Sequence, residues 1–152
     1  MPSSTYFFTK FTSIIYRLGN RYYDRELARY QIGCGQQFFL LRISENEGIS
    51  MYDLAKTGYY DKGTVTRAIQ KLEELSLIRC QVDEADRRIR HLYTTPAARP
   101  IVENLYETRQ KWNLILTAGM TEQEADEAQR LLGKMAENAY NYIYGQEEHA
   151  HE

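Results

Sequence analysis

The stretch SMYDLAKTGYYDKGTVTRAIQKLEELSLIRCQVDEADRRIRHLYTTP, residues 50–96, decides the fold. Ser50 is placed to cap a short helix in which Met51, Leu54 and Ala55 share one face. Gly58-Tyr59-Tyr60 reads as a tight turn, and Asp61 as the N-cap of a second helix running to about Leu75. Unrolled at about 100° per residue from Val65, this helix carries Ala68, Ile69, Leu72 and Leu75 on one stripe that must be buried. Gly63, Arg67, Gln70 and Glu74 fall on the opposite side, flanked by Thr64, Thr66 and Lys71. After Ser76-Leu77 the period changes from helical to alternating. Ile78–Val82 and Ile89–Tyr93 alternate around a charged loop, residues 83–88, and predict a β-hairpin.

A short helix, a turn with Gly and a second helix have helix-turn-helix dimensions. The outer face of the second helix has the residue types that read base edges: Gln70 for adenine, Arg67 for guanine, and Thr64 and Thr66 for a thymine methyl or a phosphate. Lys62 and Lys71 add cations for phosphates, and Gly63 lets backbone approach backbone at a helix N-terminus that favours anions. By itself such a face also describes the solvated side of a surface helix, as most polar helix faces are. The hairpin supplies a second, separate feature. Arg87 and Arg88 form its cationic tip with Arg90 close behind, and arginine at such a tip can enter a narrow minor groove. Asp86 among them is repelled by phosphate unless it pairs with Arg88 and fixes its direction, which guanidinium–carboxylate geometry allows. Otherwise the two make an exposed ion pair of little energetic consequence.

Outward from this stretch the chain is helical. Phe7, Phe8, Phe11, Ile14, Ile15, Leu18 and Tyr22 recur at helical spacing and predict a long amphipathic helix from Tyr6 to about Tyr30, ended by Gly33 and Gly35. Phe38, Phe39, Leu40 and Leu41 give a second helix, about Gln37–Asn46, apolar surface nearly all round, so it should be buried. Thr95-Pro96 opens a fifth helix as N-cap and N1, with Ile101, Val102, Leu105, Trp112, Ile115 and Leu116 as its apolar residues. Thr121-Glu-Gln-Glu124 is a capping box for a last helix bearing Leu131, Leu132, Met135, Tyr142 and Ile143. The fold class is therefore mainly α with a small β-hairpin wing, in a single domain over residues 1–152.

Charge is distributed to match. The 152-residue chain carries a net −2, but residues 1–41 and 62–99 are each +3 while residues 101–152 are −6. Phosphate responds to the face presented to it, so the middle segment can bind DNA while the acidic end faces away. Two cysteines are too few for a disulfide framework, and the N-terminus lacks the basic and continuously apolar regions of an export signal, so a cytoplasmic chain is expected. No run is long and apolar enough to suggest a membrane partner.

These residues resemble the MarR family of winged-helix regulators. The resemblance rests on Gly63-Thr-Val-Thr-Arg-Ala-Ile-Gln-Lys-Leu-Glu-Glu-Leu75, on Leu77-Ile78, on Asp86-x-Arg88 and on Thr94-Thr95. The family pattern is a recognition helix ending Leu-Glu-x-x-Gly-Leu, then Asp-x-Arg, five residues and Leu-Thr. The order of elements corresponds over about residues 6–145. The resemblance implies a winged helix-turn-helix lobe at about residues 36–95, and dimerisation helices at about 5–32 and 96–145. It implies a homodimer on a pseudo-palindromic double-stranded operator, with Arg88 at the minor groove. It also implies a repressor relieved by a small ligand or by thiol oxidation. Ser76 stands where the family has Gly, Thr94 where it has Leu, and Ala98 where it has Gly. The first requires a helix ending that either avoids positive φ or strains a serine by roughly 1 kcal/mol.

The remaining candidates divide between function and packing. Tyr16, Tyr22, Tyr23 and Trp112 could line a pocket for a small aromatic effector, although core or dimer packing is the simpler reading. Cys34, between two glycines, reads as a structural thiol with redox sensing as the alternative, and Cys80 as a buried thiol between Ile78 and Val82. His91, His149 and His151 have no zinc-site spacing, and no phosphate loop or catalytic constellation is present, so neither a metal, a cofactor nor catalysis is expected. A winged helix used purely as a protein-interaction module is the rival reading.

Overall fold

Helix α1 (Phe8–Leu27) opens the computed structural model, which describes residues 6–149 and their side chains through residue 145. A 3₁₀ turn (Ala28–Tyr30) extends α1, and the chain then reverses at Gln31 in the left-handed region, φ 61°. The expected glycine punctuation is therefore corrected. Gly33 is the N-cap of α2 (Cys34–Glu45), which starts three residues before the expected Gln37, and Gly35 lies in its first turn. The physical reason is capping, one bond remote and one local. Asp24 Oδ1, on α1, accepts the Cys34 amide at 2.8 Å, and Gln36 Oε1 accepts the Gly33 amide at 3.0 Å. Gly33 is needed for close approach, since a Cβ there would stand 2.2 Å from Asp24 Oδ1.

Ser50 caps α3 (Met51–Lys56) by accepting the Asp53 amide at 3.1 Å. Asp61 does the same for α4 (Lys62–Glu74) through Thr64. The stripe of α4 is buried as its spacing requires: Val65, Ala68, Ile69 and Leu72 are in the core and Leu75 at its margin. Its end adopts the strained option. Ser76 has φ 57°, the Ser76 amide donates to the Glu73 carbonyl at 2.8 Å, and the Leu77 amide to that of Leu72 at 2.9 Å. This is a Schellman ending, with Leu72 and Leu77 both buried in one cluster. Replacing Ser76 with Gly removes the left-handed strain but adds chain entropy, so urea unfolding is expected to register a net stabilisation of roughly 0.5–1 kcal/mol.

The hairpin strands are β2 (Ile78–Val82) and β3 (Arg90–Thr94), and the sheet has a third member that the sequence reading lacked. Strand β1 (Ile49–Ser50) pairs antiparallel with β3, Ile49 opposite Leu92, so the order is β1-β3-β2. Two residues are too few to display alternation. Strand β3 starts at Arg90 because the Ile89 amide donates instead to the Asp86 carbonyl within the loop. Val82 is 50% exposed, against the expectation that it shares a buried face with Ile78 and Cys80. Ile78 and Leu92 are buried in the helical core and Cys80, opposite Leu92, packs against it, whereas Val82 at the far end of β2 is exposed and belongs to the projecting wing.

Thr95 and Pro96 take the expected N-cap and N1 positions, but of a 3₁₀ turn ahead of the helix, and the Thr95 side chain makes no capping bond. Its hydroxyl donates to the Ser76 carbonyl at 2.7 Å and its amide to that of Leu77, tying the end of β3 to the end of α4. A 3₁₀ turn (Pro96–Ala98) then leads into α5 (Arg99–Leu116), which contributes Ile101 and Leu105 to the core. That core joins Leu27 of α1, four buried residues of α2, Leu54 of α3, the α4 stripe and Leu92 of the wing. These elements form one compact unit, residues 1–112. The second unit, residues 113–152, holds the end of α5 and α6 (Glu122–His149). The capping box forms there as read: Glu124 accepts the Thr121 amide at 2.8 Å and Thr121 accepts the Glu124 amide at 3.1 Å. Its apolar residues Ile115, Leu131, Leu132, Tyr142 and Ile143 are exposed. Among the described residues no helix is long and apolar enough to cross a membrane. The side chain of His149 and the whole of His151 lie outside the described residues.

Candidate nucleic-acid interface

Two surfaces built on the first unit collect the residues singled out from sequence. On α4, Gly63, Arg67 and Gln70 are exposed, with Lys62 beside them, while Thr64, Thr66 and Lys71 flank them half-buried. Arg67 lies along the helix with a guanidinium nitrogen 3.4 Å from Thr64 Oγ1, and the Thr66 hydroxyl donates to the Lys62 carbonyl at 2.8 Å. Thr64 is fixed from below, because Asp61 Oδ1 accepts its amide at 2.7 Å and Oδ2 its hydroxyl at 3.1 Å. These bonds hold the Asp61 carboxyl below its ordinary value, the Thr64 amide foremost. The first turn of α4 therefore presents its amides to the Asp61 carboxylate, where a phosphate was expected.

The wing tip is organised by two carboxylates. Asp83 Oδ1 accepts the amides of Ala85 and Asp86, each at 2.8 Å, and the Asp83 amide donates to the Ile89 carbonyl. Asp86 then accepts three bonds from Arg88, at 3.0 Å each: the backbone amide, Nε and a terminal guanidinium nitrogen. The Arg88 hydrogen bonds, side chain first, keep the Asp86 carboxyl ionised well into acid. The pairing leaves the Arg88 side chain 91% exposed, so the fork fixes its direction without burying its charge. Arg87 is exposed beside it. Arg90 is placed differently from the expectation. It turns back toward α4 and meets Glu73 at 3.6 Å, so it braces the wing against the helix.

Three residues of this surface were not singled out. Asp83 shapes the loop, Glu73 holds Arg90, and His91 bridges Asp83 to the Gly48 carbonyl just ahead of β1. A sequence signal exists only for the last: Asp83 and His91 flank the hairpin loop, where paired strands bring them close.

The other candidates are placed as follows. Tyr22 and Trp112 stack on one another, ring centres 4.9 Å apart and 22° from parallel, and the Tyr22 hydroxyl donates to the Thr108 carbonyl at 3.1 Å. Tyr23 packs edge-on against Tyr22, whereas Tyr16 is 69% exposed and outside the stack. Burial and Asp24 raise the Cys34 thiol, and burial and Glu73 raise that of Cys80, so both disfavour thiolate. Cys80 packs against the core but stays half-buried, short of its expected burial.

Helix, turn, helix and a three-stranded wing on one core define a winged helix-turn-helix protein. Comparison with known proteins sharpens the class. The sequence model of the MarR family matches residues 35–89. The uncharacterised HTH-type transcriptional regulator YybA of Bacillus subtilis (strain 168) is 31% identical over 104 residues, covering 68% of this chain and 69% of that one. Among solved structures, a MarR protein from Peptoclostridium difficile has 27% identity and TM-score 0.89 over 95% of each chain. A MarR transcriptional regulator from Methanosarcina mazei has 32% identity and TM-score 0.82, covering 90% of this chain and 98% of that one. A chain from Listeria monocytogenes, solved with 26mer DNA, shares the fold at 24% identity and TM-score 0.85, over 94% of this chain and 96% of that one. The chain belongs to the MarR family and is a transcriptional regulator of the winged-helix type.

Proposed function

We propose that the chain is a sequence-specific binder of double-stranded DNA that represses transcription, with α4 in the major groove and the wing tip at the minor groove. The observation that carries this reading is that two rigid, independently built surfaces present the matching chemistry. Arg67, Gln70 and Lys71, with Lys62, Gly63, Thr64 and Thr66, are held on a capped helix whose opposite stripe is buried. Arg87 and Arg88 are held on a loop stiffened by Asp83 and Asp86. Arg90 supports the wing and adds to its field. That the Listeria chain of the same fold was solved with DNA supports the placement of both surfaces on a duplex.

The working species in this reading is a homodimer on a pseudo-palindromic operator. Residues 36–95 form the DNA-binding lobe, and the helices of residues 5–32 and 96–145 join the protomers. Phe8, Phe11, Ile15 and Leu18 of α1 are exposed, as are Leu131, Leu132, Tyr142 and Ile143 of α6. Apolar faces of this extent mark association surfaces. Repression then follows from occupancy of promoter DNA in the cytoplasm, and a small aromatic effector that opens the Tyr22–Trp112 stack, with Tyr16 nearby in sequence on α1, relieves it. Neither metal nor cofactor enters this scheme, and the chain acts as a regulator without catalysis.

Titrating a fluorescent duplex at increasing salt tests the DNA reading. Log affinity should fall linearly with log salt, with a slope of several units set by the phosphates contacted. A flat response would instead favour a protein-interaction module. On a bound operator, Gln70→Ala is expected to reduce discrimination at one base position per half-site by roughly tenfold, the scale of one bidentate base contact. A competition assay against single-base operator variants reads this directly, and unchanged discrimination would move base reading elsewhere on α4.

A further inference from the structure

His91 lies in the central strand β3, between Ser50 of β1 and Gln81 of β2. Its ring spans from the sheet edge to the wing loop. Nδ1 is 2.9 Å from the Gly48 carbonyl oxygen, and Nε2 is 2.9 Å from Asp83 Oδ2. Both oxygens are acceptors only. The carbonyl has no proton to give, and Asp83 stays ionised because the His91 ring bonds one of its oxygens and the Asp86 and Ala85 amides the other. A neutral imidazole has one N–H and can satisfy one of these contacts, while turning a lone pair on the other. The imidazolium satisfies both.

We propose that His91 is a positioning residue for the wing: as the imidazolium it ties Asp83, and with it the turn carrying Asp86 and Arg88, to Gly48 at the entry to β1, so that DNA affinity follows its protonation. The inference rests on the reading of the wing as a DNA contact. Asp83 is the charged group that acts on the ring. The neighbouring strands present Ser50 and Gln81, neither of which titrates, Asp53 of α3 is engaged by the Ser50 hydroxyl, and Arg90 turns to Glu73. Asp83 first, and the Gly48 carbonyl second, raise His91 above its ordinary 6.5 against a smaller opposing effect of desolvation. The bridge is therefore complete below about pH 6.5 and is lost as pH rises through the raised value.

The test follows the ring and the affinity together on the full chain. The His91 ring resonances are titrated by NMR from about pH 6 to about pH 8.5, assigned by their absence in His91→Gln, where histidine is the main titrating side chain. Operator affinity is measured over the same range at fixed salt for both proteins. The ring should titrate above 6.5, wild-type affinity should fall roughly threefold to tenfold across that titration, and His91→Gln should give a flat profile. A ring titrating at or below the ordinary value overturns the bridge, and needs no variant to fold. A wild-type profile as flat as that of His91→Gln overturns the link to the wing, even if the variant binds more weakly at every pH. No DNA binding by the wild type at any pH removes the wing reading and this inference with it, which salt titration of the wild type identifies separately.

Discussion

Replacing Arg88 with alanine is expected to weaken operator binding by roughly tenfold or more, while the urea midpoint stays where it was. The two halves of this result have different physical origins. The Arg88 side chain is 91% exposed and pairs with Asp86 two residues away, and an exposed pair of that kind adds little to stability. The same exposure leaves its charge available to the deep negative potential of a narrow minor groove, where one guanidinium replaces condensed counterions. The salt slope should shrink by about one unit per wing engaged, since that many phosphate charges lose their partner. Electrophoretic or anisotropy titration at two salt concentrations gives both numbers. Wild-type affinity in the variant would remove the wing tip from the interface and leave α4 to account for binding alone.

The second large effect concerns the scaffold. Leu72→Ala should cost about 2–5 kcal/mol of unfolding free energy, the range for truncating a fully enclosed leucine. Leu72 has no exposed surface, and its carbonyl receives the Leu77 amide in the turn that ends α4. The cavity would therefore open where the recognition helix, the Schellman turn and the wing base meet. A domain with a stability of about 5–15 kcal/mol survives this loss but unfolds at visibly lower denaturant. Urea unfolding at constant slope measures it. A cost below about 1 kcal/mol would mean that the α4 stripe is not the packing anchor of the site. Arg88→Ala and Leu72→Ala thus separate contact from support, because the first should change binding at constant stability and the second stability first.

The site was legible where the chemistry is local. Helix α4, its Asp61 cap and its two faces follow from a 3.6-residue period and one N-cap, both contained within residues 61–75. The Thr121–Glu124 capping box is legible for the same reason. What escaped depends on partners distant in sequence. The start of α2 is set partly by Asp24 on another helix, which no count along residues 33–37 finds, and partly by Gln36, the one local signal there, whose side chain accepts the Gly33 amide. Strand β1 exists because Leu92, far along the chain, lends its carbonyl to Gly48 and lies opposite Ile49. Thr95 looks like a side-chain cap, but its hydroxyl donates to the Ser76 carbonyl, nineteen residues back, and accepts no helix amide. Arg90 reads as one more tip cation until Glu73 on α4 claims it. Ser76 is the instructive intermediate case. Sequence poses the alternative, strain or a different ending, and only the backbone at φ 57° decides it.

The central claim is that α4 and the wing together read a specific duplex, presented twice by a symmetric dimer. Selection of bound sequences from a random duplex pool tests it most directly. The account predicts an enriched inverted repeat whose half-site centres lie about one helical turn apart, roughly 10 bp, with the α4 contacts at conserved positions and A·T-rich flanks beneath the wings. A pool that emerges without enrichment, or enriched for a single site with no repeat, would contradict it.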